Sequence, residues 1–154
     1  MILYLVRHAE AKSEVEDTTR PLSDKGLQEI KKMASYVSRL NIKVDQILHS
    51  TKLRARQTAE VLNENLKPPK GISDVDALAP LDDPNKWAER LKSITNDTIL
   101  VGHLPHLGKL ASLLLCGDVD RNFLAFKSAG MVCFKREDNG TWSLQWMLTP
   151  EIVL

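Results

Sequence analysis

The sequence predicts a three-layer α/β/α domain on a mostly parallel sheet that ends in antiparallel strands, and three observations carry that expectation. Short β-branched and leucine-rich runs alternate with amphipathic stretches through the N-terminal two thirds. The first run, Ile2 to Val6, is apolar throughout, as in a strand covered on both faces. From Phe123 onward the helical periodicity stops, and Asn139-Gly140 marks a hairpin.

Taken in order, Ile2 to Val6 is expected as a central first strand. Ser23 is a plausible N-cap for a helix to about Leu40, in which Leu27, Ile30, Ala34, Val37 and Leu40 recur at three- and four-residue steps. Val44 to Leu48 reads as a second strand, Leu53 to about Asn65 as a second helix, and Ile72 to Val75 as a short strand set off by Pro68, Pro69 and Gly71. Pro84 opens a helix through Leu91, Thr98 to Val101 is another buried strand, and Pro105 opens a helix to about Leu115. Met131 to Lys135 and Thr141 to Met147 flank the hairpin turn as antiparallel strands. No repeat, linker or low-complexity segment interrupts residues 1–154, so one domain is expected.

Of the 154 residues, 43% are hydrophobic and 27% charged, which excludes a disordered chain. Lys and Arg total 21 against 20 Asp and Glu, and a net charge of +1 offers no broad attraction for nucleic acid or an anionic membrane. Any anion site must therefore be local. Two thiols, Cys116 and Cys133, make no disulfide framework and are expected as reduced core residues. The N-terminal apolar run stops at Arg7 without a basic leader, and Leu113 to Cys116 with its neighbours is too short to span a bilayer, so a cytoplasmic location is expected.

Ligands of open α/β sheets bind beyond the carboxyl ends of the strands. Three such junctions carry chemistry here: Arg7-His8-Ala9-Glu10, His49-Ser50 with Arg54-Ala-Arg56-Gln57-Thr58-Ala59, and Gly102-His103-Leu104-Pro105. Histidines and arginines converging on one edge suit a phosphoryl group. Its transfer needs mainly positioning and positive charge, and the planar guanidinium meets phosphate oxygens in pairs. A histidine that is neutral at physiological pH offers a ring nitrogen as a nucleophile toward phosphorus.

These motifs resemble the histidine phosphatases, the phosphoglycerate mutase-like superfamily. The matching stretches are Leu5-Val-Arg-His8, Ser50-x-x-x-Arg54-Ala-x-Gln57-Thr58-Ala59 and Gly102-His103-x-Pro105. Arg7-His-Ala-Glu-Ala11, Arg20-Pro-Leu-Ser23-x-x-Gly26, His103-Leu-Pro105 and the closing Gly140-Thr-Trp142 with Pro150 look like the small SixA-type phosphohistidine phosphatases. The resemblance implies a nucleophilic His8, a phosphoryl group held by Arg7, Arg54 and His103, and a fourth contact from Arg20. It also implies no cofactor, a phosphorylated histidine protein as substrate, phosphate or sulfate as ligands of the site, and a place in signal transduction. Ala9 stands where the superfamily usually has Gly, and Thr51 where it has Pro.

Larger family members carry an acidic proton donor in an insertion for which this chain has no room. Asp82 and Asp83, before Pro84, and Glu10, beside the nucleophile, are the candidate acids. A phosphohistidine leaving group is an imidazole that solvent can protonate, so weak general acid catalysis would suffice. Two other readings use the same clamp: a small-molecule phosphomonoesterase, which needs a real acid, and a phospholigand-binding module without turnover.

Arg56 falls two residues from Arg54 on a helix, about 160° away, and is expected to face solvent or an acidic neighbour. His49 and His106 are expected as structural or rim residues. His103 and His106 have no Cys or acidic partner at ligand spacing, so no metal is expected. Trp87, Trp142 and Trp146 are too scattered for a base-stacking platform.

Overall fold

A computed structural model describes residues 1–153. Six strands and four helices form in the order β1 (Ile2–Arg7), α1 (Asp24–Ser38), β2 (Gln46–Ser50), α2 (Leu53–Leu66), β3 (Ile72–Val75), α3 (Pro84–Leu91), β4 (Thr98–Gly102), α4 (His106–Cys116), β5 (Met131–Arg136) and β6 (Trp142–Leu148). A single 3-10 turn, Pro150–Ile152, follows.

The strands make one sheet in the order β3-β2-β4-β1-β5-β6. Pairing is parallel from β3 through β1 and antiparallel at β1–β5 and β5–β6. Strand β1 lies between β4 and β5, which explains its unbroken apolar run: Leu3, Tyr4, Leu5 and Val6 are all buried. The pleat sends Tyr4 and Val6 into a cluster with Ile30, Met33, Val37 and Leu62 of α1 and α2. Leu3 and Leu5 join Trp87, Leu91, Leu107 and Leu110 of α3 and α4. Two helical layers thus cover the two faces of the sheet, the architecture the strand–helix alternation implies.

Several local expectations change. Strand β2 begins at Gln46 instead of Val44 and runs on to Ser50, because its register with β4 pairs Gln46 with Thr98. Helix α1 ends at Ser38, and Arg39 and Leu40 close it through turn bonds to Tyr36 and Val37. The buried stripe of α1 is Gly26, Ile30, Met33, Ala34 and Val37, while Leu27 and Leu40 are 37% and 42% exposed. Leu27 sits at the mouth of the α1–α2 seam, beside Gln57 and Val61. Cys116 is exposed instead of buried, being the last residue of α4 before the left-handed cap Gly117; Cys133, on β5, is buried. Pro105 is the cap residue of α4 and not its first turn.

Parallel pairing of β1, β2 and β4 brings Arg7, Ser50 and Gly102 out at one edge. Antiparallel β5 starts at that same edge. The loops 8–23 and 76–83 therefore lie at one end of the sheet, and the segment after α4 returns to it, with Phe126 and Ala129 bonding Arg7.

Candidate active site

His8 extends β1 by one residue, its backbone N–H bonding the Gly102 carbonyl at 3.0 Å. Its ring Nδ1 lies 2.7 Å from the Ala9 carbonyl oxygen. A carbonyl can only accept, so Nδ1 carries the proton and Nε2 keeps its lone pair. The backbone N–H of Ala9 is held as well: it donates to Thr58 Oγ1 at 3.0 Å, and that hydroxyl donates to the Arg54 carbonyl at 2.8 Å. One hydroxyl thus ties the loop after β1 to the first turns of α2. Gly26 allows α1 to close on the same loop, since a Cβ there would stand 2.0 Å from the Glu10 carbonyl oxygen.

His103 follows β4 and is buried, its Nε2 lying 2.8 Å from Ser50 Oγ at the end of β2. Its ring centroid is 5.0 Å from that of His8. Arg7 donates through one terminal nitrogen to the Phe126 carbonyl at 2.9 Å, while the Nε atoms of Arg7 and Arg54 are buried without a partner. Arg20 comes back toward them because its loop closes on itself. Ala11 bridges Leu22, Lys12 N–H bonds the Pro21 carbonyl, and Arg20 takes a left-handed φ of 49° with Nε on the Lys12 carbonyl at 3.0 Å.

Burial sets the electrostatics, and the arginines add to it. His8 is pushed down to about 4, first by desolvation, then by Arg54, Arg7 and Arg20, against the opposing pull of the Ala9 hydrogen bond. His103 is pushed down to about 3 by desolvation, then by His8, Arg54, Lys52 and His106. Burial lowers Arg7 and Arg54 from the usual guanidinium value, and Arg20 lowers Arg54 further. Guanidiniums stay charged under such shifts. At neutral pH the site therefore combines two neutral imidazoles with three cations, and none of the three arginines forms an ion pair among the described residues. That arrangement can bind a dianion and offer it a nitrogen lone pair.

The candidate acids are each tied to a local turn. Glu10 accepts from Ser23 Oγ at 2.9 Å and faces Lys25 at 3.8 Å. Asp82 accepts from Ala79 N–H at 2.9 Å. Asp83 caps α3 by accepting from Asn85 N–H at 2.9 Å, and bonds to the Asn85 side chain and backbone hold its carboxyl below the usual range. Asp82 and Asp83 act on His106, a fully buried ring with neither nitrogen partnered. The carboxylate felt by Arg54 is instead Glu14, in the loop after β1. Arg56 pairs with Glu60 at 3.0 Å, and His49 is a buried structural residue with Nδ1 on the Ser50 carbonyl at 2.8 Å. Among the described residues no group of three or more His, Cys, Asp or Glu is placed to hold a metal ion.

Residues 3–79, from β1 through the loop after β3, match the model of the histidine phosphatase superfamily, branch 1. The chain belongs to that superfamily. This histidine phosphatase is similar to the phosphohistidine phosphatase SixA of Escherichia coli (strain K12), 26% identical over 155 residues covering 97% of this chain and 94% of that protein. Its fold is that of the protein histidine phosphatase SixA solved as a tungstate complex, with a TM-score of 0.87 at 24% identity over 97% of both chains. It is also that of the α-ribazole phosphatase from Shigella flexneri, with a TM-score of 0.80 at 14% identity over 97% of both chains.

Three contributors to this histidine phosphatase site had no role in the sequence reading. The hydroxyls of Ser50 and Thr58 lie inside the recognised motif, so their residue types were visible but their partners were not. The Phe126 carbonyl that holds Arg7 is 119 residues away in sequence and carries no signal at all.

Proposed function

We propose that the chain is a metal-independent phosphatase that hydrolyses phosphohistidine on a protein through a phosphorylated His8. The observation that carries this reading is the His8 Nδ1 bond to the Ala9 carbonyl, which leaves the Nε2 lone pair beside three guanidiniums. In the first step Nε2 attacks phosphorus, forming a new N–P bond as the substrate's N–P bond breaks, and the departing imidazole takes a proton from solvent. In the second step water attacks phospho-His8, releases inorganic phosphate and returns the lone pair to Nε2. Arg7, Arg20 and Arg54 spread the charge of the transferring group over fixed guanidiniums, and His103 holds a further oxygen.

The choice of phosphohistidine follows from the acids. Glu10, Asp82 and Asp83 are engaged in turns and caps, so none of these three carboxyls is free to protonate an alkoxide. An imidazole leaving group does without one. The short 76–83 segment leaves the site open to a histidine carried on a protein, and a cytoplasmic role in histidine-based signal transduction fits that substrate.

A small-molecule phosphomonoesterase is the second reading, favoured by the fold shared with an α-ribazole phosphatase. Rates for a phosphohistidine protein, an aryl phosphate and an alkyl phosphate, measured side by side in chelator, separate the two. The expected order is phosphohistidine, then aryl, then alkyl; an alkyl phosphate as the best substrate overturns the proposal.

A further inference from the structure

Three of the histidines at this edge of the sheet, His8, His49 and His103, are wired in two ways. His8 and His49 each place Nδ1 on the carbonyl of the following residue, at 2.7 and 2.8 Å, which leaves Nε2 as the acceptor. His103 makes no such bond. Its partnered nitrogen is Nε2, on Ser50 Oγ at 2.8 Å, and its Nδ1 is buried with no partner.

The direction of the Ser50 bond decides where the His103 proton sits. Ser50 is buried, and its Oγ already accepts the Lys52 backbone N–H at 3.3 Å in the turn between β2 and α2. The remaining hydroxyl hydrogen has one acceptor within reach, His103 Nε2. If Nε2 carried a proton instead, the buried Ser50 hydrogen would lose its acceptor, an uncompensated cost for a polar group. The arrangement that satisfies both groups has Ser50 donating to Nε2 and the imidazole proton on Nδ1.

We propose that Ser50 is a positioning residue that fixes His103 as the Nδ1–H tautomer, so that His103 meets the phosphoryl group as a neutral hydrogen-bond donor through Nδ1. This rests on the phosphatase reading for its consequence, but the tautomer does not depend on turnover. With the proton on Nε2, as in an imidazole wired the other way, Nδ1 would present a lone pair to a phosphoryl oxygen and repel it. The neighbouring rings thus hold the same Nδ1–H tautomer and turn opposite nitrogens to the phosphoryl group: the Nε2 lone pair of His8 for attack, the Nδ1–H of His103 for oxygen.

Long-range proton–nitrogen NMR on the uniformly 15N-labelled chain, with and without vanadate, reads the tautomers directly. The expected spectrum at neutral pH shows His103 protonated at Nδ1 and bare at Nε2, and His8 likewise at rest, with the His103 pattern unchanged by vanadate. An Nε2–H tautomer or an imidazolium at His103 overturns the proposal, whether or not the protein is active. Ser50→Ala is expected to mix the His103 tautomers and lower kcat by roughly tenfold to a hundredfold with KM little changed, somewhat less than the loss of a transition-state donor outright. Ser50→Thr, which keeps the hydroxyl, is expected to restore both the spectrum and most of kcat. A Ser50→Ala protein with wild-type kcat or an unaltered His103 spectrum overturns the positioning role. If that variant does not fold, the wild-type spectrum alone decides.

Discussion

At the floor of the site, Arg7, His8, Ser50 and His103 each stand at or one residue beyond a strand end, and short hydrogen bonds reach most of them from elsewhere in the chain. The rim is built differently. Its loops present Val15, Leu81 and Phe123 to solvent at 97%, 89% and 61% exposure, and its carboxylates Glu10, Asp82 and Asp83 serve turns and caps. The floor is fixed by the registered pairing of β4 with both β1 and β2, so charge and lone pair are held in place before any ligand arrives. The rim carries little of that constraint. On the proposed function, phosphoryl recognition belongs to the floor and the identity of the leaving group to the rim.

The largest test of that division is His8→Ala, which is expected to lower turnover by roughly 10⁴-fold or more, the scale of losing a covalent nucleophile. The same protein is expected to keep its phosphate affinity, because the arginines supply it. Inorganic phosphate at ten times its Kd then stabilises the variant by about 1.4 kcal/mol, or roughly 3–5 °C in a thermal melt. Substantial activity in a clean His8→Ala preparation would remove His8 from the role of nucleophile.

Arg54→Ala is expected to cost roughly 10²- to 10³-fold in kcat/KM, the magnitude of losing one fixed donor to developing charge. It should also shrink the phosphate-induced melting shift. Arg54→Lys is expected to rescue little, since a point charge cannot make two parallel hydrogen bonds. A lysine variant close to wild type would show that the floor needs charge at Arg54 but not geometry.

The pH profile sharpens the comparison from the side of His8. His8 is held at about 4, so its lone pair is present above that pH and lost as pH falls through it. The acid limb of kcat/KM for an aryl phosphate is expected near 4, falling tenfold per unit below, instead of near the 6.5 of a free imidazole. Folding follows the same linkage. The unfolded chain takes up protons near 6.5 that His8 and His103 refuse when folded, so stability declines as pH drops from about 6.5 toward 4. An acid limb at 6.5 would show that burial does not depress His8.

Removing the rim acids is expected to do least. Asp82→Asn and Asp83→Asn should change phosphohistidine hydrolysis by less than about threefold, a structural effect of altered turns, with a somewhat larger loss on alkyl phosphates. A loss near 10²-fold on phosphohistidine would make one of them the proton donor and move leaving-group chemistry into the built part of the site.

Local patterns made most of the architecture legible. The Ile72–Val75 strand and the Pro84–Leu91 helix form within their expected bounds, because Gly71 and Pro84 punctuate them chemically. The ends of α1 were less legible: Leu27 and Leu40 fit the helical period, but only the packing of α1 against α2 decides how wide the buried stripe is. Cys116 shows the same limit, being apolar by type and exposed by its place before Gly117.

By itself the sequence determined that a parallel sheet would carry Arg7, His8, Arg54 and His103 to one edge, since the period of the apolar runs and the motif residues after them are local properties of the chain. Tertiary structure decided the protons. Which nitrogen of His8 is bare depends on the carbonyl of Ala9, a residue whose N–H is anchored by Thr58 from α2, and the partnering of His103 depends on Ser50, 53 residues away. It also decided the partners of the acids, through the turns around Ser23, Ala79 and Asn85. Residue type and periodicity are written along the chain, whereas tautomers and burial are set by partners that only folding brings within hydrogen-bond distance.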